Sequence, residues 1–129
     1  MKRILLCLMV VLFATGCLFA KNNDEKMNVM PYNIRYDNSG DKDNQWKFRR
    51  DFAADLVKFH EADVFGAQEV LNNQLNDLLD RLPEYAYVGV GREDGKTKGE
   101  YAPIFYRKDR FSVEKNGNFW LAEDINAVG

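Results

Sequence analysis

Cysteine is scarce and poorly placed for a stabilising bridge: Cys7 and Cys17 are the two in 129 residues. Both fall in or beside an N-terminal apolar segment, so the body of the chain has no internal disulfide and must be held by packing. Histidine occurs once, at His60 in "KFHEAD", on a segment predicted helical and away from the strand ends considered below. A cationic surplus is missing too. With Lys2 and Arg3 set aside, the 18 basic residues fall to 16 against 20 acidic ones, a net charge of −4. No basic patch of the kind that tracks nucleic-acid phosphates is evident. Internal repeats and low-complexity tracts are absent, and the length excludes more than one domain of ordinary size. What remains is a globular balance, 46% hydrophobic and 29% charged, with enough apolar material for a core.

The first twenty residues stand apart. Lys2 and Arg3 precede "ILLCLMVVLFATGCLFA", a basic start, an apolar stretch and small residues in the order of a secretory signal. Ile4 to Ala20 is 17 residues, the lower end of what spans a bilayer, but Thr15, Gly16 and Cys17 inside it and the polar residues after it favour cleavage. "ATGC" at 14–17 resembles a bacterial lipobox, which implies lipidation at Cys17; cleavage after Ala20 is the alternative. The expectation is a signal peptide over 1–20, a linker over 21–26 and a domain over 27–129. Such a protein is exported: periplasmic, envelope-anchored through lipid, or secreted.

Met27–Asn33 reads as an opening strand, with Pro31 as its flaw because proline cannot donate to a ladder. "DNSGDKDNQ" reads as a loop. Phe48, Phe52, Leu56 and Phe59 recur at helical spacing and predict an amphipathic helix over Trp46–His60, capped by Asp43 or Asn44. "ADVFGAQE" is a compact apolar run ending in Gln68 and Glu69, as expected of a buried strand. Strand, helix and strand make a right-handed βαβ unit, so Asn33 and Glu69 become neighbours at the carboxyl ends of parallel strands. Open α/β sheets bind ligands at such edges. A second helix carries Leu71, Leu75, Leu78, Leu79 and Leu82 and closes at Pro83. Residues 85–91 and 101–107 read as strands, and "FSVEKNGNFWLAE" as a hairpin around Asn116–Gly117.

Glu69 is the leading candidate for chemistry. A carboxylate just after a buried strand is a hard oxygen ligand on a rigid support, and Mg²⁺ sites commonly use one or two carboxylates with water and substrate phosphate. A solvated strand-end acid is the alternative. Asn33 offers a carbonyl oxygen to the same metal or an amide to a phosphate oxygen, or serves as a turn residue. Arg35 and Asp37 stand on the same rim as weaker substrate-binding candidates, with a surface salt bridge as the rival role for each.

The ordered set "YNIRYDN", "DVFGAQE" 36 residues on, and "GEYAPIFYR" resembles the N-terminal half of the endonuclease/exonuclease/phosphatase, DNase I-like family. "NQWKFRRDF" and "FWLAED" resemble its secreted bacterial members. The resemblance implies an α/β (α+β) fold, half of a four-layer α/β/β/α sandwich. It implies Mg²⁺ or Mn²⁺ at Glu69 with help from Asn33, and phosphoester hydrolysis. Glu100 matches an acid that orients a catalytic histidine in the family. Pro31 departs from the small hydroxyl residue more usual there. The family's Asp-X-Asn and late Ser-Asp-His segments have no counterparts here; "DIN" at 124–126 matches the first by letters but falls too early and reads as a loop. The expectation is therefore an incomplete catalytic domain, inactive by itself, whose whole enzyme takes phosphorylated small molecules, sugars or lipids over long nucleic acid. Two alternatives stand beside it: an inactive truncated product, and a small α/β binding module without catalysis.

Overall fold

A computed structural model describes residues 26–128; the expected signal peptide and Cys17 lie outside the described residues. Five-residue strand β1 (Val29–Asn33) leads through a 3-10 helix (Ser39–Asn44) into α1 (Trp46–Phe59). Then follow β2 (Val64–Gln68), α2 (Asn72–Arg81), β3 (Tyr85–Val88) and β4 (Ile104–Arg107). The sheet order is β1-β2-β4-β3. β1 and β2 are parallel, with Asn33 opposite Gln68, as the βαβ reading requires, and the other two pairings are antiparallel.

One face of the sheet is buried. Phe65, Ala67, Tyr85 and Phe105, joined by Met30, Tyr32 and Tyr87, pack against Ala53, Ala54 and Val57 of α1 and Leu75, Leu78 and Leu82 around α2. Phe65 stacks on Phe105 with ring centroids 4.5 Å apart. On the other face Val29 and Ile104 are exposed. The mixed sheet with helices on one side is the half-sandwich that the sequence predicts.

Four expectations are corrected. The helix forms where its periodicity places it, but the phenylalanine stripe faces solvent: Phe48 is 62%, Phe52 69% and Phe59 80% exposed. The buried stripe lies roughly opposite, at Trp46, Ala53, Ala54 and Val57, because two alanines let the helix axis approach the sheet where phenylalanines would hold it off. Neither Asp43 nor Asn44 caps α1, whose N-cap is Gln45 without a side-chain capping bond; the polar loop has folded into its own 3-10 turn, capped by Asn38 accepting from Gly40 N. The hairpin around Asn116–Gly117 is absent among the described residues, where 112–119 are irregular and exposed. A two-stranded hairpin with no face to bury is marginal in water. The strands themselves are shorter than predicted: β1 begins at Val29, β3 stops at Val88, and before β4 only Tyr101 pairs, in an isolated bridge with Val70.

Candidate functional site at the parallel strand ends

The crossover through α1 brings the last residues of β1 and β2 side by side, and Ile34 N donates to Gln68 O at 3.2 Å. Directly beyond, both chains turn into left-handed backbone, with φ of 59° at Glu69 and 61° at Arg35. Such values are uncommon outside glycine and cost about 1–3 kcal/mol each unless the surroundings hold them. The turn points the Glu69 carboxylate back across the strand ends. Asn33 Nδ2 donates to Glu69 Oε1 at 2.9 Å, and Tyr36 N donates to Oε2 at 3.2 Å. The Asn33 amide, then the Tyr36 N–H, with the nearby Arg35 charge, hold the Glu69 carboxyl below its usual range. Glu69 is therefore an anion at neutral pH, with one donor on each oxygen and lone pairs remaining.

Asn33 is committed at both ends, since its Oδ1 accepts from Arg35 N at 2.9 Å. In this arrangement it aims Glu69 and shapes the Arg35 turn. Arg35 forms a bidentate pair with Asp41, at 3.0 Å from Nε and 2.9 Å from Nη2, so the salt-bridge role expected as its rival is the one seen. Asp37 accepts from Asn73 Nδ2 at 2.9 Å and pairs with no cation among the described residues.

Two residues that sequence reasoning passed over hold this turn. Gln74 is fully buried; its Oε1 accepts from Asp37 N at 3.0 Å and Leu71 N at 3.1 Å, while Nε2 donates to Arg35 O at 2.9 Å. The signal for it is a polar residue inside the leucine stripe of α2. Arg49 reaches from α1 to Ile34 O at 2.8 Å, Arg35 O at 3.3 Å and Asn44 O at 2.5 Å. That gives "NQWKFRRDF" a physical function: it clamps the backbone that carries the site.

Glu100 enters from the β3–β4 connection. Its Oε2 accepts from Arg92 Nη1 at 3.3 Å, and its backbone O from Arg92 N at 3.1 Å. Glu69 and Glu100 line one open cleft of about 590 Å³, together with Gln68, Arg92, Phe119 and Trp120. His60 does not join them: it is exposed at the end of α1, beside Met27–Pro31 and at the opposite end of β1 from Asn33. Asp124 accepts from Asn126 N within its own turn, as a loop residue does. No group of three His, Cys, Asp or Glu side chains that could by itself hold a metal occurs among the described residues.

A parallel strand pair ending in a pinned carboxylate, continued by antiparallel strands and backed by two helices, defines an α/β protein of the DNase I-like class. Three solved structures place it further. An endonuclease/exonuclease/phosphatase from Bacteroides vulgatus is 55% identical, with a TM-score of 0.75 over 77% of this chain and 38% of its own. A family protein of the same description from Bacteroides thetaiotaomicron is 42% identical, with a TM-score of 0.78 over 80% of this chain and 39% of its own. A mannosyl-6-phosphatase from that organism is 44% identical, with a TM-score of 0.75 over 77% of this chain and 38% of its own. Over the region it shares with them, the chain belongs to the endonuclease/exonuclease/phosphatase family. The chain spans less than two fifths of these structures' lengths. No family model matches it.

Proposed function

We propose that this chain supplies the metal-binding strand edge of an exported, divalent-metal-dependent phosphoester hydrolase. The observation that carries the reading is the Glu69 carboxylate, held anionic by Asn33 and the Tyr36 N–H and facing the same cleft as Glu100. Its donor chemistry suits Mg²⁺ or Mn²⁺, hard cations that accept one or two protein oxygens and keep the remaining positions for water and phosphate. Glu69 would be the direct ligand. When bound, such an ion neutralises charge on the phosphate oxygens and leaving group. Asn33 keeps the Glu69 carboxylate oriented and deprotonated, and Arg92 holds Glu100 at the cleft wall. Export, with Cys17 as a possible lipid attachment point, rests on the sequence of the first twenty residues.

The substrates in this reading are small phosphoesters, phosphorylated sugars above all. The chain's acidic balance disfavours a long polyanion. A phosphatase for a mannosyl 6-phosphate among the similar structures supports the same class. A non-catalytic binding module is the second reading, favoured by the position of the single histidine away from the cleft.

Hydrolysis of an aryl phosphoester by the full-length protein with Mg²⁺ or Mn²⁺ separates the two. Turnover that is lost in chelator and falls at least about 100-fold in Glu69→Gln is expected, since even groups that merely orient a metal ligand are worth about 10–100-fold. An unchanged rate in Glu69→Gln refutes the role of Glu69. Absence of metal-dependent turnover in the wild type leaves the binding module.

A further inference from the structure

The wall of the cleft facing the strand ends carries two consecutive aromatic residues with different surroundings. Trp120 is half-buried and anchored: its N donates to Ile125 O at 2.9 Å and its Nε1 to Arg92 O at 2.8 Å. Its ring rests on the turn at Gly95, where an added Cβ would come within 3.7 Å of Trp120 Cη2. Phe119, immediately before it, is 67% exposed, adjoins that anchored residue and lines the same cleft as Glu69 and Glu100. Asn118 and Gln68 bring amide groups to the same surface. An exposed aromatic ring at a cleft wall, with amides around it and a charged end nearby, is the donor set that receives a hydroxyl-bearing ring. The apolar C–H face of the ring stacks on the aromatic, its hydroxyls meet amides, and its phosphate reaches the ionic end.

Resting on the phosphoesterase reading, we infer that Phe119 is the stacking wall for the pyranose ring of a sugar phosphate, and so selects sugar phosphates over bare phosphate. Among the described residues the cleft offers one guanidinium, Arg92, already paired with Glu100, and no run of cations to follow a polynucleotide. Nucleobases also stack on aromatics, so a nucleotide is the discriminating comparison.

The test is calorimetric binding to the full-length protein with Mg²⁺, using inorganic phosphate, mannose 6-phosphate and adenosine 5′-monophosphate, with Trp120 fluorescence as a second readout. The expected result is mannose 6-phosphate binding about tenfold tighter than phosphate, a preference lost in Phe119→Ala and kept in Phe119→Tyr. Equal affinity for the two in the wild type, or a preference that survives Phe119→Ala, overturns the inference while leaving the phosphate site intact. A Phe119-dependent gain seen with the nucleotide and not with the sugar overturns it also. If no ligand binds, phosphate included, the phosphoesterase reading fails and the inference with it.

Discussion

Replacing Gln74 by leucine keeps a side chain of similar length in the core and removes the three hydrogen bonds that Gln74 makes beneath the Arg35–Asp37 turn. Two backbone N–H groups lose their acceptor, Asp37 N at 3.0 Å and Leu71 N at 3.1 Å, and Arg35 O loses its 2.9 Å donor while keeping Arg49 Nη2 at 3.3 Å. Stranding a buried donor costs about 1–3 kcal/mol and losing one of two hydrogen bonds at an acceptor about 1 kcal/mol, so the two N–H groups and Arg35 O together cost about 5 kcal/mol. Burial of the leucine offsets about 2 kcal/mol of that, for a net loss near 3 kcal/mol. The loss is not spread evenly. Tyr36 lies between Arg35 and Asp37, and its N–H is one of the two donors on Glu69, so releasing the turn also releases the carboxylate. Urea unfolding should show the lost stability, amide exchange should speed up at Tyr36 and Asp37, and calorimetry should show Mn²⁺ binding about tenfold weaker. A loss below about 1 kcal/mol, with Tyr36 exchanging as slowly as in the wild type, would refute the idea that Gln74 positions Glu69.

Asn33→Leu tests the charge state of Glu69. Because the folded carboxyl lies below its usual 4.5, its contribution to stability is complete above that pH and is lost as the pH falls through the folded value. Removing the largest cause of the shift should move the Glu69 midpoint, followed by carboxyl ¹³C shifts, upward toward 4.5; a midpoint that stays put contradicts the assigned hydrogen bond. On α1, Phe52→Glu should change the melting free energy by no more than about 0.5 kcal/mol, whereas Ala54→Glu, one face away, should prevent folding. Similar effects from the two would mean that the helix presents its other stripe to the sheet.

The strand ends were legible because two signals converge there: an apolar run that stops in Asn33 or Glu69, and a crossover rule that admits one handedness. The face of α1 was not. A 3.6-residue period records that a helix has an apolar stripe, and this one has two, Phe48-Phe52-Phe59 and Trp46-Ala53-Ala54-Val57. Hydrophobicity ranks the phenylalanines first, but the approach to the sheet is decided by the smallest side chains at the contact, and Ala53 and Ala54 win on size. Gln74 hid for the converse reason. Two of its three hydrogen-bond partners are backbone groups 37 and 39 residues away, and no local pattern encodes which loop will come to rest over a helix. The hairpin failed because Asn-Gly specifies a turn, not a surface for the strands to cover.

Pro31 shows how a residue that looks wrong in sequence is settled by parity. Asn28 O accepts from Val64 N, and Ile34 N donates to Gln68 O, so the even-numbered residues of this segment turn their backbone groups toward β2. Backbone groups alternate sides along a strand, so those of Val29, Pro31 and Asn33 point to the other side of β1. β1 is the edge of the described sheet, and no ladder partner lies there. The missing N–H of Pro31 therefore costs no ladder bond within the described sheet, and moving the proline one place either way, to Met30 or Tyr32, would remove an N–H that belongs to the β2 ladder. The same parity puts Asn33 on the face opposite Met30 and Tyr32, clear of the helices, where its side chain reaches Glu69 instead of the core. The proline that made the strand doubtful and the asparagine that makes the site share one register.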